Sequence, residues 1–149
     1  MSDFKPFEDK LAGLIASLSP AGRRRLAVDM AKKLRQSQQR RIKSQQNPDG
    51  TAFAQRKRQP ARAKSGRVRR EMFAKLRTGR FMKARGSDDG AVVEFTGKVQ
   101  RIAQVHQYGL KDKPARNGAA VEYPARELLG FTEDDRSVVE TIITDHLAL

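Results

Sequence analysis

The sequence lacks several residue types on which catalysis and metal binding depend. It contains no cysteine and no tryptophan, and only two histidines among its 149 residues. Without cysteine it forms no disulfide, no thiolate nucleophile and no cysteine-based zinc site. Neither common spacing of a glycine-rich phosphate-binding loop occurs. The sequence therefore predicts no catalytic site, no cofactor and no metal site, and we do not expect an enzyme.

Long apolar runs are also missing. No run approaches the roughly 20 residues that a membrane-spanning helix needs, and the start of the sequence lacks the basic and apolar regions of a signal peptide. Hydrophobic residues make up 38% of the chain and aromatic residues 6%. Both fractions are low for a globular protein. We expect a protein that is made in the cytoplasm, does not contact a membrane and has a partly unpacked chain.

The few candidates for chemistry have simpler explanations. His106 has no cysteine or carboxylate beside it, so a structural or capping role is favoured over a catalytic one. His146 falls in the last turn of a predicted helix, where a partly charged imidazole suits the helix dipole. The pair Asp88 and Asp89 supplies too few oxygens for calcium and fits a hairpin turn better.

Acidic residues are scarce in the middle of the chain. Lys and Arg number 31 against 17 Asp and Glu, which gives a net charge of +14. The excess lies in residues 19–87, which carry a net +19, whereas residues 132–149 carry −4. A strongly basic segment predicts nucleic acid or an acidic protein surface as the partner. The acidic end is suited to approach the basic middle of a neighbouring copy.

Periodic apolar residues predict helices at both ends of the chain. Six residues at steps of three and four place one apolar face on a first helix: Phe4, Phe7, Leu11, Leu14, Ile15 and Leu18. Ser19 and Pro20 fit the N-cap and first position of a second helix, whose half beyond Arg35 we expect to be solvated. Thr132 is predicted to cap a C-terminal helix with an acidic first turn. The apolar face of that helix is Val138, Val139, Ile142, Ile143 and Leu147.

Between these helices the pattern is mixed. Residues 68–77 resume helical spacing, and residues 81–84 and 91–95 are predicted to pair as a hairpin through an Asp-Gly turn. A short helix is expected from Val99 and ends at Gly109, although a strand remains an alternative there. Residues 111–120 look like a loop, and a third strand is predicted at residues 121–123.

These elements predict an α+β fold with N-terminal helices, a small mostly antiparallel sheet built on the hairpin, a C-terminal helix and a long basic loop. We expect residues 1–149 to form a single domain. Residues 1–46 are its helical N-terminal part and residues 47–67 a flexible basic loop. Residues 68–149 are an α+β body that ends in the C-terminal helix.

Five cations are concentrated in the predicted loop: Arg56, Lys57, Arg58, Arg62 and Lys64. They have three possible roles: a solvated face, a contact with DNA phosphates, or an assembly arm that meets acidic surfaces of a neighbouring subunit. No stacking aromatic residue accompanies them, so a DNA contact here would not depend on base sequence. The sequence does not rank the DNA contact against the assembly arm.

Four segments together resemble the phage tail completion protein S family, also called phage virion morphogenesis proteins, of temperate contractile-tailed phages. They are residues 38–59 (QQRRIKSQQNPDGTAFAQRKRQ), 72–77 (MFAKLR), 101–110 (RIAQVHQYGL) and 123–131 (YPARELLGF). The resemblance implies a non-enzymatic virion protein that completes the tail and takes part in the head-to-tail (neck) junction. It also implies distant kinship with ring-forming neck proteins.

The partners implied by this resemblance are other copies of the chain in a ring, with a hexamer as the expectation, together with neighbouring neck and tail proteins. Genomic DNA passing through such a ring is a further, nonspecific partner. The implied location is the tail and neck region of the virion. The alternative function is a small nucleic-acid-binding protein that acts on its own through the basic loop.

A ring requires one face of each copy to contact a different face of the next. Four residues near the last motif are candidates for this subunit contact: Tyr123, Arg126, Leu128 and Phe131. A place in the core is favoured for the leucine, since most large apolar residues are buried in their own chain. Arg126 favours the contact, because a guanidinium offers a planar fork of donors.

Overall fold

The computed structural model describes residues 5–56, 71–114 and 116–147. In chain order, its elements are helices α1 (Lys5–Ala16) and α2 (Pro20–Lys43), strands β1 (Met82–Gly86) and β2 (Ala91–Phe95), helix α3 (Gln100–Tyr108), strands β3 (Lys111–Asp112) and β4 (Val121–Glu122), and helix α4 (Glu133–His146). The strands form two separate pairs, β1 with β2 and β3 with β4. This arrangement confirms the α+β class, the hairpin and the C-terminal helix. Among the described residues, no helix is long and apolar enough to span a membrane.

The chain divides into two compact units. Unit 1 consists of Met1–Ser37, Lys83–Glu94 and Phe131–Leu149. Unit 2 consists of Gln38–Met82 and Phe95–Gly130. Each unit is assembled from segments far apart in sequence, and α2 contributes residues to both.

The core of unit 1 is formed by its three helices. Leu11 of α1, Leu26 of α2 and Ile143 of α4 are buried together. Six partly buried side chains pack around them: Ile15, Leu18, Met30, Val139, Ile142 and Leu147. Most of the apolar face predicted for the C-terminal helix, and the part of the first face that includes Leu11 and Ile15, therefore pack together with the first half of α2. Phe4 and the side chain of Phe7, also predicted for the first face, lie outside the described residues.

The starts of α2 and α4 are capped as the sequence predicts. The hydroxyl of Ser19 accepts a hydrogen bond from the backbone N–H of Gly22 at 3.0 Å. Thr132 and Asp135 form a capping box, in which each side chain accepts the other residue's backbone N–H. Asp135 is buried and also accepts a hydrogen bond from the hydroxyl of Ser37 on α2. The cap of α4 is thus tied to a neighbouring helix.

In unit 2, α3 runs as the sequence predicts and ends at Gly109. This glycine has a φ of 65°, and its N–H bonds the carbonyl of Val105. The left-handed conformation is the usual way to end a helix and favours glycine. The predicted strand at residues 121–123 is present as β4, but its partner β3 lies in a segment expected to be a loop. Lys111 and Asp112 lack the apolar alternation that would reveal a strand.

The helix predicted at residues 68–77 is wrong where the structure describes it. Residues 71–80 form turns, and residues 68–70 lie outside the described part. Phe73 adopts a φ of 67°, which a helix excludes. Burial of Met72 and an edge contact between the rings of Phe73 and Phe53 favour this path over local helix propensity.

The far half of α2 is less solvated than expected. Ile42 is fully buried and Gln38 is 4% exposed. Gln38 and Arg41 of this half form hydrogen bonds with backbone carbonyls of unit 2.

Candidate functional site

Arg126, a candidate subunit contact, is bonded within its own chain. Its side chain is almost fully buried, and its Nε donates to the carbonyl of Ala54 at 2.7 Å. One terminal nitrogen donates to the carbonyl of Gln55 at 3.2 Å, and the backbone N–H of Arg126 bonds the carbonyl of His106 at 2.7 Å. Burial, followed by the nearby charge of Arg56, lowers the pKa of Arg126. The guanidinium therefore holds residues 54 and 55 against α3.

His106 lies at the centre of a row of rings. Its imidazole meets Phe73 and Tyr123 edge to face, with centroid separations of 4.8 and 5.1 Å, and Phe73 in turn meets Phe53. Burial, then the positive charge of Arg126, lowers the pKa of His106 to about 4. A half-buried, neutral imidazole of this kind is a structural group, which agrees with the role favoured for it in the sequence.

The structure connects Arg126 to the predicted basic loop. Ala54 and Gln55, whose carbonyls it binds, immediately precede Arg56. Arg56 is exposed, and its positive charge contributes to lowering the pKa of both Arg126 and His106. The other four candidate cations lie outside the described residues: Lys57, Arg58, Lys64 and Arg62. Arg126 thus holds the backbone immediately before Arg56.

The segment that follows Arg126 is held by side-chain amides, which the sequence analysis did not identify. Gln38 donates to the carbonyl of Gly130 at 2.8 Å and accepts from its N–H at 3.0 Å. Gln107 makes the same pair of bonds with Leu129, at 2.8 and 2.9 Å. Each glutamine side chain thus bonds both the N–H and the carbonyl of one residue, as a neighbouring β-strand would.

Arg41 completes this arrangement. Its guanidinium donates to the carbonyls of Glu127 and Leu128, each at 2.8 Å, and to the side-chain oxygen of Gln38 at 2.6 Å. Gln45 clamps the backbone of Met72 in the same two-point way, at 2.8 and 2.9 Å. No spacing rule in the sequence marks these residues, because their partners are backbone groups distant along the chain.

The four candidate contact residues differ in what they leave accessible. Leu128 is fully buried and Arg126 nearly so, whereas Tyr123 is partly buried against His106. Phe131 is 60% exposed. Among the four, Phe131 offers most of its ring to another molecule.

Phe131 lies at the edge of an apolar groove in unit 1. The groove runs between α1 and α4 and has a volume of about 420 Å³. Its apolar lining includes Leu11, Ile15 and Val139, and its charged lining includes Glu8, Glu133, Arg136 and Glu140. Across the described ranges 5–56, 71–114 and 116–147, no three histidine or carboxylate groups are arranged to hold a metal ion.

Comparison with known proteins agrees with this picture. The family model described as the phage virion morphogenesis family matches residues 2–148. The chain belongs to this family. It is 55% identical over 148 residues to tail completion protein S of Escherichia phage P2, and the match covers 99% of both chains. No solved structure matches. The protein is therefore a structural component of phage assembly and not an enzyme.

Proposed function

We propose that this protein completes the phage tail and joins the head-to-tail (neck) junction as a ring of identical copies, with a hexamer as the expected number. The observation that carries the proposal is the near full-length match to a relative named for tail completion. At 55% identity over nearly the full length, the two chains share their fold. The proposed location is the tail and neck region of the virion, where neighbouring neck and tail proteins are the partners.

The distribution of charge supports assembly into a ring. Residues 19–87 carry a net +19 and residues 132–149 a net −4. A chain with oppositely charged regions is suited to a contact in which one face meets a different face of the next copy. The candidate contact residues Tyr123, Arg126, Leu128 and Phe131 contribute unequally to such a contact. We assign Phe131 to the interface, and Arg126 and Leu128 to the interior of unit 2.

The positive charge supports a second candidate, nonspecific binding of DNA. On α2, the exposed cations make no ion pair with a carboxylate of the described part of the chain: Arg24, Arg25, Lys32, Lys33, Arg40 and Lys43. Phosphate neutralisation by such groups requires no base sequence. In a ring, the same surface suits a lumen through which genomic DNA passes. Acting alone, the protein would instead be a monomer that binds DNA with a steep dependence on salt.

Complementation tests tail completion directly. A phage that lacks its own copy of the corresponding gene is grown in cells that supply either this protein or an empty plasmid. We expect complete particles with the protein, and separate heads and unfinished tails in electron micrographs without it. Equal yields of complete particles from both cultures contradict the proposal. The mass of the purified protein, measured across concentrations, separates a cyclic oligomer from the DNA-binding monomer.

A further inference from the structure

The groove between α1 and α4 presents apolar surface that the described residues of unit 1 leave uncovered. Its floor is formed by one face of each helix: Leu11, Ala12, Ile15, Val139 and Ile143. Phe131 stands at its edge with 60% of its surface exposed. A large aromatic side chain beside an apolar cleft is typical of the centre of a protein interface.

The charged lining of the groove is acidic. Glu8, Glu133 and Glu140 face one cation, Arg136, which pairs with both Glu8 and Glu140. Glu133 is exposed and has no ion pair within the described residues. The groove thus combines an apolar floor with an excess of negative charge.

We propose that this groove binds a basic surface of a second copy of this chain. The inference rests on the proposed ring, for which it supplies one half of the contact. Residues 132–149 carry a net −4, so the rest of the chain holds the whole positive excess of a molecule whose net charge is +14. A second copy is therefore a partner of matching charge, whereas the phosphates of DNA are repelled by these carboxylates. Because groove and basic surface are different parts of one chain, the contact is heterologous, and it forms a ring when the rotation between successive copies closes.

Paired substitutions test the groove in the full-length protein. We expect Phe131→Ser and Glu133→Lys each to weaken self-association at least about tenfold in sedimentation or native mass measurements. Val92→Ser removes a comparably exposed apolar side chain, 48% exposed, that does not line the groove. Asp134→Lys reverses a charge in the same helical turn, also outside the groove lining. Both controls should change self-association less than about threefold, and equal losses in variants and controls overturn the inference.

Mixing experiments test whether the contact is heterologous. A copy with Phe131→Ser keeps its basic surface, so it can bind the groove of a wild-type copy but cannot receive another. We expect the variant alone to remain monomeric, and added variant to convert closed wild-type rings into shorter open oligomers that contain it. A ring that excludes the variant altogether overturns the heterologous contact.

Photo-crosslinking identifies the occupant in assembled particles. Phe131 is replaced by benzoyl-phenylalanine in the complementing protein, and particle yield is recorded before illumination. A crosslink to a second copy of this chain supports the inference. A crosslink to another phage protein, to residues 1–4 of the same chain, or to nothing overturns it. Failure to complement, with a crosslink between copies in the purified protein, instead contradicts tail completion and leaves the groove contact standing.

Discussion

Arg126 and His106 meet so that the imidazole has to be the acceptor. A terminal guanidinium nitrogen of Arg126 lies 3.4 Å from Nδ1 of His106, and a guanidinium has only donors. Nδ1 is therefore unprotonated and the remaining proton lies on Nε2. The lowered pKa of His106, about 4, agrees with this assignment. The sequence gives Arg126 and His106 separate roles, but in the structure the two side chains are in direct contact.

We predict that Arg126→Ala lowers the free energy of unfolding by about 2–3 kcal/mol, because the carbonyls of Ala54 and Gln55 lose a charged donor and a buried side chain is removed. Arg101→Ala is the control, since its side chain is 81% exposed and pairs with Asp112 at the surface. The control should cost less than about 1 kcal/mol. Urea unfolding measures both variants, and self-association is measured on the folded fraction. Weakened assembly with wild-type stability would place Arg126 at a subunit contact instead.

Stability should depend on pH through His106. Its pKa is about 4 in the folded protein, against an ordinary value of 6.5. Above pH 6.5 the imidazole is neutral in both states, and its contribution is fully present. As the pH falls from 6.5 to 4 the unfolded chain takes up the proton first, so stability is lost. Since the ring is only half-buried, we expect a loss of about 1–2 kcal/mol.

The control for this pH dependence is His106→Gln, which removes the titrating group. Unfolding is measured by urea at pH 7 and at pH 4.5 for both proteins. The carboxylates contribute equally to both, so the difference between the two pH profiles belongs to His106. Parallel profiles would show that the imidazole titrates alike in the folded and unfolded chains.

Gln38 is predicted to stabilise unit 2 through its two bonds to Gly130. Gln38→Ala leaves the N–H and carbonyl of Gly130 without these partners, and Arg41 loses one acceptor. We expect unfolding to become easier by about 2–4 kcal/mol. Gln36→Ala changes an exposed residue of the same helix and should stay within about 0.5 kcal/mol. Similar values for the two variants would mean that water replaces these bonds.

The fold could be predicted where apolar periodicity and local caps decide it. Leu11, Leu26 and Ile143 follow helical spacing, and Thr132 carries its own capping partner three residues later. Such patterns involve residues close together in sequence, so they can be recognised without knowledge of the tertiary structure.

The parts that were not predicted depend on distant backbone. Gln38 and Gln107 look like solvent-facing polar residues until Leu129 and Gly130 are placed beside them. Phe73 leaves the helical region because its ring packs on Phe53 and His106. For the candidate site, the sequence indicated the segment that contains Phe131. The groove itself could not be predicted, because it is lined by α1 and α4, which are far apart in sequence.

The close approach of the hairpin to α2 gives another prediction. A Cβ on Gly86 would lie 2.3 Å from the backbone nitrogen of Val28, closer than two such atoms can stand. Gly86→Ala should therefore destabilise the protein by about 1–3 kcal/mol. Gly90→Ala is the matched control in the same hairpin, since nothing lies within 4 Å of its added Cβ. A thermal melt compares them, and equal midpoints would show that the hairpin can move away from the helix.

The role of the basic segment is tested by replacing Arg56, Lys57, Arg58, Arg62 and Lys64 with Gln. If these cations face DNA, nonspecific affinity falls, and each lost phosphate contact lowers the slope of log affinity against log salt by roughly 0.9. If they form an assembly arm, the variant stays folded but fails to join its neighbours, because their acidic groups lose counter-charges. Folding should survive in either case, since Arg56 is exposed and Arg126 binds only backbone carbonyls in this region.

The matched control for that variant removes five charges from α2 instead: Arg24, Arg25, Lys32, Lys33 and Arg40, each also to Gln. Both variants have the same net charge, so a general loss of attraction lowers DNA affinity equally in the two. DNA binding is measured by fluorescence anisotropy across salt concentrations, and assembly by particle yield in the complemented phage. A larger loss in the first variant assigns the role to the basic segment, because only position then differs. Full activity of that variant in both assays leaves its five cations as a solvated face, and the basic segment then has no part in DNA binding or assembly.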